Sequence, residues 1–67
     1  MGVKDLLKKF IGKYVTVLFI PSGDGASSEV DGYLEEVNDN YLVLRYPDGR
    51  RIYLFNIVVY GIEVYEK

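Results

Sequence analysis

Five short runs of strand-forming residues follow a single helical pattern, and no second helical pattern separates them. The runs are rich in β-branched and aromatic residues, with polar, glycine or proline residues between them. They cover residues 14–20, 29–37, 41–46, 51–55 and 58–65. Parallel strands need long, usually helical crossovers, and no helix exists here to make one. The order predicts a mainly β fold, in which five strands over about residues 13–65 form a strongly bent antiparallel sheet and a small open barrel.

The N-terminal segment has the apolar spacing of an amphipathic helix at about residues 3–11. Lys8 and Lys9 fall in its last turn, where positive charge suits the helix dipole. Gly12 stands where a glycine commonly ends a helix. The apolar positions, at i, i+3, i+4, i+7 and i+8, are Val3, Leu6, Leu7, Phe10 and Ile11.

The connections between the strands carry their own signals. Residues 21–28 are predicted to form a flexible loop on composition alone. Residues 38–40, Asn-Asp-Asn, predict a turn, and residues 47–49, Pro-Asp-Gly, predict a tight hairpin. Gly32 lies inside the second strand, where a glycine often marks a bend or a bulge.

The length of the chain limits how it is stabilised. Its 67 residues are predicted to form one domain over residues 1–67, and they include neither Cys nor His. A chain of this size buries only about 60% of the surface that it exposes when unfolded. A disulfide is excluded, and the soft ligands of a structural metal are missing, so we expect no metal and no cofactor. Self-association is the remaining common way to stabilise so small a fold.

The last two strands are apolar on both faces. Simple alternation places Ile52 and Leu54 on one face of the fourth strand, and Tyr53 and Phe55 on the other. In the fifth strand it separates Val58, Tyr60, Ile62 and Val64 from Val59, Gly61, Glu63 and Tyr65. A half-buried strand normally alternates apolar with polar residues, so the surplus predicts an interface between copies of the chain. The predicted interface residues are Ile52, Leu54, Val59, Ile62 and Val64.

Several classes of function are disfavoured. Without His or Cys the usual general base and nucleophile are absent, so we predict no catalytic residues and no enzymatic activity. No apolar run approaches the ~18 residues that span a bilayer, so no membrane association is expected. The start of the chain lacks a signal-peptide pattern, and the absence of cysteine fits a cytoplasmic location.

Three stretches of the chain resemble the Sm-like proteins, with spacing closest to the bacterial Hfq branch. Residues 11–17, Ile-Gly-Lys-Tyr-Val-Thr-Val, resemble the helix exit and first strand of that family. Residues 31–44 resemble its bent second strand, polar turn and apolar third strand. Residues 53–57, Tyr-Leu-Phe-Asn-Ile, are similar in position to its second motif. The resemblance covers about residues 3–65, with residues 21–28 as an insertion.

The resemblance implies a helix-capped, five-stranded small barrel that assembles into rings of about five to seven identical subunits. In that family the fourth strand of one subunit pairs with the fifth strand of the next, and many members bind single-stranded RNA. Bases stack on an aromatic residue after the second strand and are held by polar groups of the second motif. Carried onto this chain, the implied RNA contacts are Asn38, Asp39, Asn40, Tyr41, Tyr53, Phe55 and Asn56.

Basic residues form two clusters that are candidates for contacts to the RNA backbone, or are ordinary solvated charges. The candidate backbone contacts are Lys4, Lys8, Arg45, Arg50 and Arg51. The chain nevertheless has a net charge of −2, whereas proteins held to nucleic acid by charge are usually basic. It also carries Leu54-Phe55 where Hfq-like proteins have Lys-His, and Phe55-Asn56 where Sm proteins have Arg-Gly. The alternative function is therefore an Sm-like assembly or protein-interaction module without RNA affinity.

Overall fold

The computed structural model describes residues 3–21 and 25–65. One short helix, α1 (Val3–Leu7), continues as a 3-10 turn over Lys8–Phe10. Five strands follow, and the predicted mainly β fold with an N-terminal helix is confirmed. The strands are β1 (Tyr14–Pro21), β2 (Ser28–Val37), β3 (Tyr41–Arg45), β4 (Arg51–Phe55) and β5 (Ile57–Tyr65).

The helix ends earlier than the apolar spacing predicts. Its last turn tightens to 3-10 geometry, and Gly12 takes a left-handed backbone with φ of 96°. The N–H of Gly12 then donates to the carbonyl of Leu34 at 2.8 Å, and the N–H of Leu34 donates to the carbonyl of Lys13 at 3.0 Å. The chain is thus already paired with β2 at a point where an α-helix over residues 3–11 would still be ending.

The five strands form one antiparallel sheet in the order β4-β3-β2-β1-β5. This order puts β4 and β5 at opposite edges, yet only Asn56 connects them. The sheet must therefore curl until the end of β4 meets the start of β5. It does not close, because the described residues of β4 and β5 do not pair with each other. The predicted five-stranded antiparallel sheet is confirmed, and it is open, with unpaired edges at β4 and β5 among the described strands.

The core lies where α1 packs against this sheet. It draws residues from α1 and from β1 to β4, and partly buried residues of β5 pack against it. Val15, Val17, Leu34 and Leu44 are fully buried. The complete buried cluster consists of Leu7, Val15, Val17, Phe19, Leu34, Val37, Leu42, Leu44 and Leu54.

Two bulges change which side chains share a face. In β5 the register against β1 shifts between Leu18 and Phe19, so that Tyr60 is the extra residue. The simple alternation predicted for β5 is therefore wrong, because a bulge moves the later residues to the opposite face. The residues of β5 that pack on the core are Ile57, Val59, Ile62 and Val64.

The second bulge lies in β2, where the register against β3 shifts between Leu34 and Glu36. It comes after Gly32, the residue at which the sequence predicts a distortion. Gly32 instead allows a close approach, since a Cβ atom there would lie 3.0 Å from the carbonyl oxygen of Arg45. The extra residue of this bulge is Glu35, and it takes part in the ion pairs described below.

The connection at residues 47–49 is the tight turn that the sequence predicts, whereas the connection at residues 21–28 differs from its prediction. At residues 47–49, Gly49 has φ of 98° and the N–H of Tyr46 donates to the carbonyl of Arg50 at 2.7 Å. The predicted loop at residues 21–28 is shorter than expected, because Pro21 ends β1 and Ser28 begins β2. Within it, residues 22–24 lie outside the described residues.

Over residues 3–21 and 25–65, no helix is long and apolar enough to cross a membrane. The same residues contain no group of three or more acidic side chains placed to hold a metal ion.

Candidate functional site

An open cleft of about 760 Å³ lies where the helix, the β2–β3 turn and the β4–β5 corner meet. Its position follows from the curl of the sheet, since residues distant in sequence come together around Asn56. The floor is apolar and the rim is polar and aromatic. The residues that line this cleft are Lys4, Leu7, Val37, Asn38, Asp39, Asn40, Tyr41, Leu42, Leu54, Phe55, Asn56, Ile57, Val58 and Val59.

Asn38 builds the β2–β3 turn. Its Oδ1 accepts hydrogen bonds from the N–H groups of Asn40 at 2.8 Å and Tyr41 at 2.9 Å. Its Nδ2 donates to Oε2 of Glu36 at 2.9 Å. This is the local side-chain turn that asparagine favours. The carboxamide of Asn38 is thus engaged in shaping the turn, although the residue lines the cleft.

Lys4 and Asp39 form an ion pair across the rim of the cleft. The hydrogen bond from Lys4 lowers the pKa of the Asp39 carboxyl, with smaller contributions from the charges of Lys4 and Lys8. Both partners are exposed to solvent, so the pair contributes little to folding stability. Its consequence for a ligand is that the charge of Lys4 is already balanced within the cleft.

An aromatic triad of Tyr41, Tyr53 and Phe55 borders the cleft on the neighbouring strands β3 and β4. The ring centroids of Tyr41 and Phe55 are 5.8 Å apart, and those of Tyr53 and Phe55 are 6.5 Å apart with planes inclined by 15°. Phe55 is 59% exposed and Tyr53 is 49% exposed. The hydroxyl of Tyr41 donates to Oε2 of Glu36 at 3.0 Å. The rings of the triad are therefore exposed to solvent, and their contacts with one another hold them in place.

Asn56 forms the corner between the edge strands and has φ of 51°. This left-handed conformation is unfavourable for most side chains but is tolerated by asparagine. The side chains of Asn56 and Asn40 are exposed, and neither carboxamide forms a hydrogen bond with another described residue. Two neutral groups that both donate and accept are thus available at the rim.

Arg45 and Arg51 lie outside the cleft, in an arginine cluster around Glu35. The two arginines are cross-strand neighbours on β3 and β4. Nε of Arg45 donates to Oε2 of Glu35 at 2.9 Å, and Nε of Arg51 donates to Oε1 at 2.7 Å. The hydrogen bonds from Arg51 and then Arg45 lower the pKa of the Glu35 carboxyl. The guanidinium of Arg45 also lies 4.9 Å from the ring centroid of Tyr33.

A smaller cavity of about 490 Å³ adjoins this arginine cluster, and Arg51 and Tyr53 are among its lining residues. Arg50 lies elsewhere, on the β3–β4 hairpin, where its Nε donates to Oδ2 of Asp48 at 2.8 Å. The hydrogen bonds that Asp48 accepts from Arg50, first from its backbone N–H and then from its side chain, lower the pKa of the Asp48 carboxyl.

The structure thus divides the sequence-predicted RNA contacts into two groups. One group lines the cleft and comprises Lys4, Asn38, Asp39, Asn40, Tyr41, Phe55 and Asn56. Tyr53 joins it through its ring contacts, and Lys8 is near enough to Asp39 to affect its pKa. Arg45, Arg50 and Arg51 do not line it.

Sequence reasoning missed Glu36, Leu7 and Val58 as parts of this region. Leu7 belongs to the apolar stripe of the helix, so its burial was indicated although its place beside the cleft was not. Glu36 is exposed on β2, and its carboxylate accepts hydrogen bonds from Asn38 and from the hydroxyl of Tyr41. Gly32 indicates a bend or a bulge in this strand, but no signal places the bulge at Glu35, directly before Glu36.

The predicted interface residues lie mainly against the core of their own chain. Leu54 belongs to the buried cluster, and Ile52, Val59, Ile62 and Val64 are partly buried against it. The large side chains that are exposed at the edge strands are different ones. They are Tyr53, Phe55, Val58, Tyr60 and Tyr65.

Comparison with known proteins finds no family model, no curated protein and no solved structure that matches this chain.

Proposed function

We propose that this chain is a non-enzymatic, Sm-like subunit that binds single-stranded RNA in the cleft. The observation that supports the proposal is the meeting of residues 38–41 with residues 55–56 around one cavity. The Sm-like resemblance assigns both segments to a single pocket, although the sequence separates them by a whole hairpin. An exposed aromatic ring beside the cavity suits the stacking of an unpaired base, worth roughly 1–3 kcal/mol per base.

The test is fluorescence anisotropy with labelled oligo-U and oligo-A at low salt. Saturable binding at micromolar protein, with a preference between the two oligomers, is the expected result. No binding of either oligomer at tens of micromolar protein would contradict the RNA function.

Self-association into a ring is the second part of the proposal. Among the described residues, the edge strands β4 and β5 each lack a pairing partner on one side. The exposed side chains of Val58 and Tyr60 lie on β5. Unpaired edges next to exposed apolar side chains favour pairing with another chain. Pairing of β4 in one copy with β5 in the next would cover both edges, and a ring of five to seven subunits is expected.

Val58→Lys together with Tyr60→Lys tests this assembly. Both side chains are exposed, at 61% and 56%, so the fold should tolerate the change. Sedimentation is expected to find a ring for the wild type and a smaller species for the variant, with unchanged circular dichroism. Val59 and Ile62 are poorer probes, because both pack against the core. A monomeric wild type at high concentration would contradict the ring.

The alternative is an Sm-like assembly or protein-interaction module without RNA affinity. It is favoured by the net charge of −2 and by the ion pairs that engage Lys4, Arg45, Arg50 and Arg51. A ring that binds neither oligo-U nor oligo-A, even at low salt, would select this alternative.

A further inference from the structure

We infer that the solvent side of the N-terminal helix and its exit, residues 4–13, is a docking surface for an anionic lipid membrane. The inference goes beyond the proposed function, since it depends neither on the cleft nor on the ring. Three features support it: the separation of charge along the chain, the available lysines of this segment, and the exposed aliphatic side chains among them.

Charge is divided unevenly along the chain. Residues 4–13 contain four lysines and one aspartate, which give a net charge of +3. The rest of the chain contains four basic and nine acidic residues, which give a net charge of −5. An anionic surface therefore attracts this segment and repels the remainder, so the molecule approaches such a surface with its helix first.

Three of the four lysines keep their charge available. Lys8, Lys9 and Lys13 are exposed, and none of them forms a salt bridge with a described residue. Lys4 is paired with Asp39. Basic side chains close to a bilayer gain from the negative potential of anionic lipids, and the gain grows with the number of free charges. This segment thus carries the charge that such a surface recognises.

Aliphatic side chains are exposed among these lysines. Leu7 and Phe10 pack in or against the core, so the helix buries one of its sides. On the solvent side Leu6 is 51% exposed, and Ile11, at the helix exit, is 45% exposed. Exposed aliphatic groups next to lysines are typical of helices that lie in the interface of a membrane, where the apolar groups enter the boundary between headgroups and acyl chains.

The same aliphatic side chains favour a lipid surface over a nucleic acid as the partner. A single strand is held by phosphate contacts and by stacking of its bases on aromatic rings. The one aromatic ring of residues 4–13 is that of Phe10, and it packs against the core. Leu6 and Ile11 offer no stacking surface, whereas both gain from burial among acyl chains. Surface docking needs no apolar run of spanning length, which is the feature that the sequence lacks.

Co-sedimentation of the full chain with vesicles tests the inference. Vesicles of phosphatidylcholine alone are compared with vesicles that also contain phosphatidylglycerol, over a series of KCl concentrations. We expect binding to the anionic vesicles that falls at least about tenfold between about 50 and 500 mM KCl, because salt screens exposed charges. Absence of binding to the anionic vesicles, or equal binding to both kinds, would overturn the inference.

Lys9→Glu and Arg50→Glu make the same change of charge at two exposed positions. Lys9→Glu should weaken binding to the anionic vesicles by about tenfold or more, since it reverses a charge at the docking surface. Arg50→Glu, on the β3–β4 hairpin, should change the binding by less than about threefold. Equal losses would mean that net charge alone determines binding, and would overturn the role of this surface.

Leu6→Ser tests the aliphatic contribution. We expect about fivefold weaker binding to the anionic vesicles at every KCl concentration, because the variant loses apolar area that would enter the lipid. The melting temperature should stay unchanged, since about half of the Leu6 side chain is already exposed. Unchanged vesicle binding would show that the helix does not enter the lipid, and would overturn the inference.

Anisotropy with labelled oligo-U separates this inference from the proposed function. Lys9→Glu should bind oligo-U within about threefold of the wild type, because Lys9 does not line the cleft. A variant that loses affinity for oligo-U and keeps its affinity for anionic vesicles would assign the lysines to RNA and overturn the inference. A wild type that binds anionic vesicles and neither oligomer would support the inference and contradict the RNA function alone.

Discussion

The cleft and the arginine cluster lie at opposite ends of the β3–β4 pair, and their polar groups differ in whether they have partners. In the cleft, the carboxamides of Asn40 and Asn56 are left without partners among the described residues. In the arginine cluster, one carboxylate of Glu35 engages both Arg45 and Arg51. The number of basic residues in a sequence therefore does not measure the positive charge that is available to a ligand, because some of those residues are already paired with carboxylates.

Backbone geometry produces the difference. The bulge in β2 makes Glu35 an extra residue, so its carboxylate reaches two arginines that stand opposite each other on β3 and β4. Like charges directly opposite on neighbouring strands repel, and the carboxylate between them relieves that repulsion. At the cleft, by contrast, Asn56 forms the left-handed corner, and its exposed side chain has no hydrogen-bond partner among residues 3–21 and 25–65.

The largest expected effect concerns the floor of the cleft. Leu54→Ala should lower the free energy of unfolding by about 2–5 kcal/mol, because it opens a cavity in the core. Urea denaturation of the full chain measures this, with Phe55→Ala at the exposed neighbouring position as the control. A loss below about 1 kcal/mol would show that Leu54 is not a core residue, and would favour its predicted role in an interface.

The next effect concerns stacking at the rim. Phe55→Ala should weaken oligo-U binding by roughly 5- to 150-fold, the range expected for one base–aromatic stack. Tyr65→Ala is the matched control, since Tyr65 is 55% exposed but lies at the far end of β5. Anisotropy titrations compare the two variants. Equal losses would mean that the strand does not bind at the cleft.

A smaller effect is expected from the arginine cluster, and it depends on pH. The pKa of Glu35 is lowered in the folded chain, so its ion pairs stabilise the fold above the unfolded pKa and are lost as pH falls through the folded pKa. Glu35→Gln should be less stable than wild type at pH about 6, and the difference should shrink as the pH falls below the usual carboxyl pKa of 4.5 and through the lowered pKa of the folded chain.

Thermal melts at several pH values measure this difference. Glu29→Gln, on the same strand, is the control, because Glu29 forms no salt bridge with a described residue. A pH dependence of the same size in the control would contradict a specific role for Glu35.

The smallest expected effect is on RNA binding by the arginines. Arg51→Gln should change the affinity for oligo-U by less than about twofold, because Arg51 does not line the cleft and is paired with Glu35. The same anisotropy titration measures it. A loss of tenfold or more would mean that the strand crosses the arginine cluster.

Much of the fold was predictable because local patterns determine it. The five strands, the hairpin with Gly49 and the break at Asn56 follow from propensity and turn chemistry. Gly32 indicated a bend or a bulge in the second strand, but no pattern placed the extra residue at Glu35 or indicated the bulge in β5. As a result the faces of β5 were assigned wrongly, and the position of Glu35 was missed.

The candidate site was predicted only in part. The resemblance brought residues 38–41 and 55–56 together, and the cleft contains them all. Which charged groups remain available depends on ion pairs such as Lys4–Asp39, between residues far apart in sequence. No pattern in a single sequence indicates such pairs.

The most direct test of base recognition in the cleft is an NMR titration of the isotope-labelled full chain with oligo-U. We expect the largest shift changes at the backbone amide of Tyr41 and at the side-chain amides of Asn40 and Asn56. The Nε–H signals of Arg45 and Arg51 should stay unchanged. Large changes at the two arginine signals, with the asparagine signals unmoved, would contradict the account.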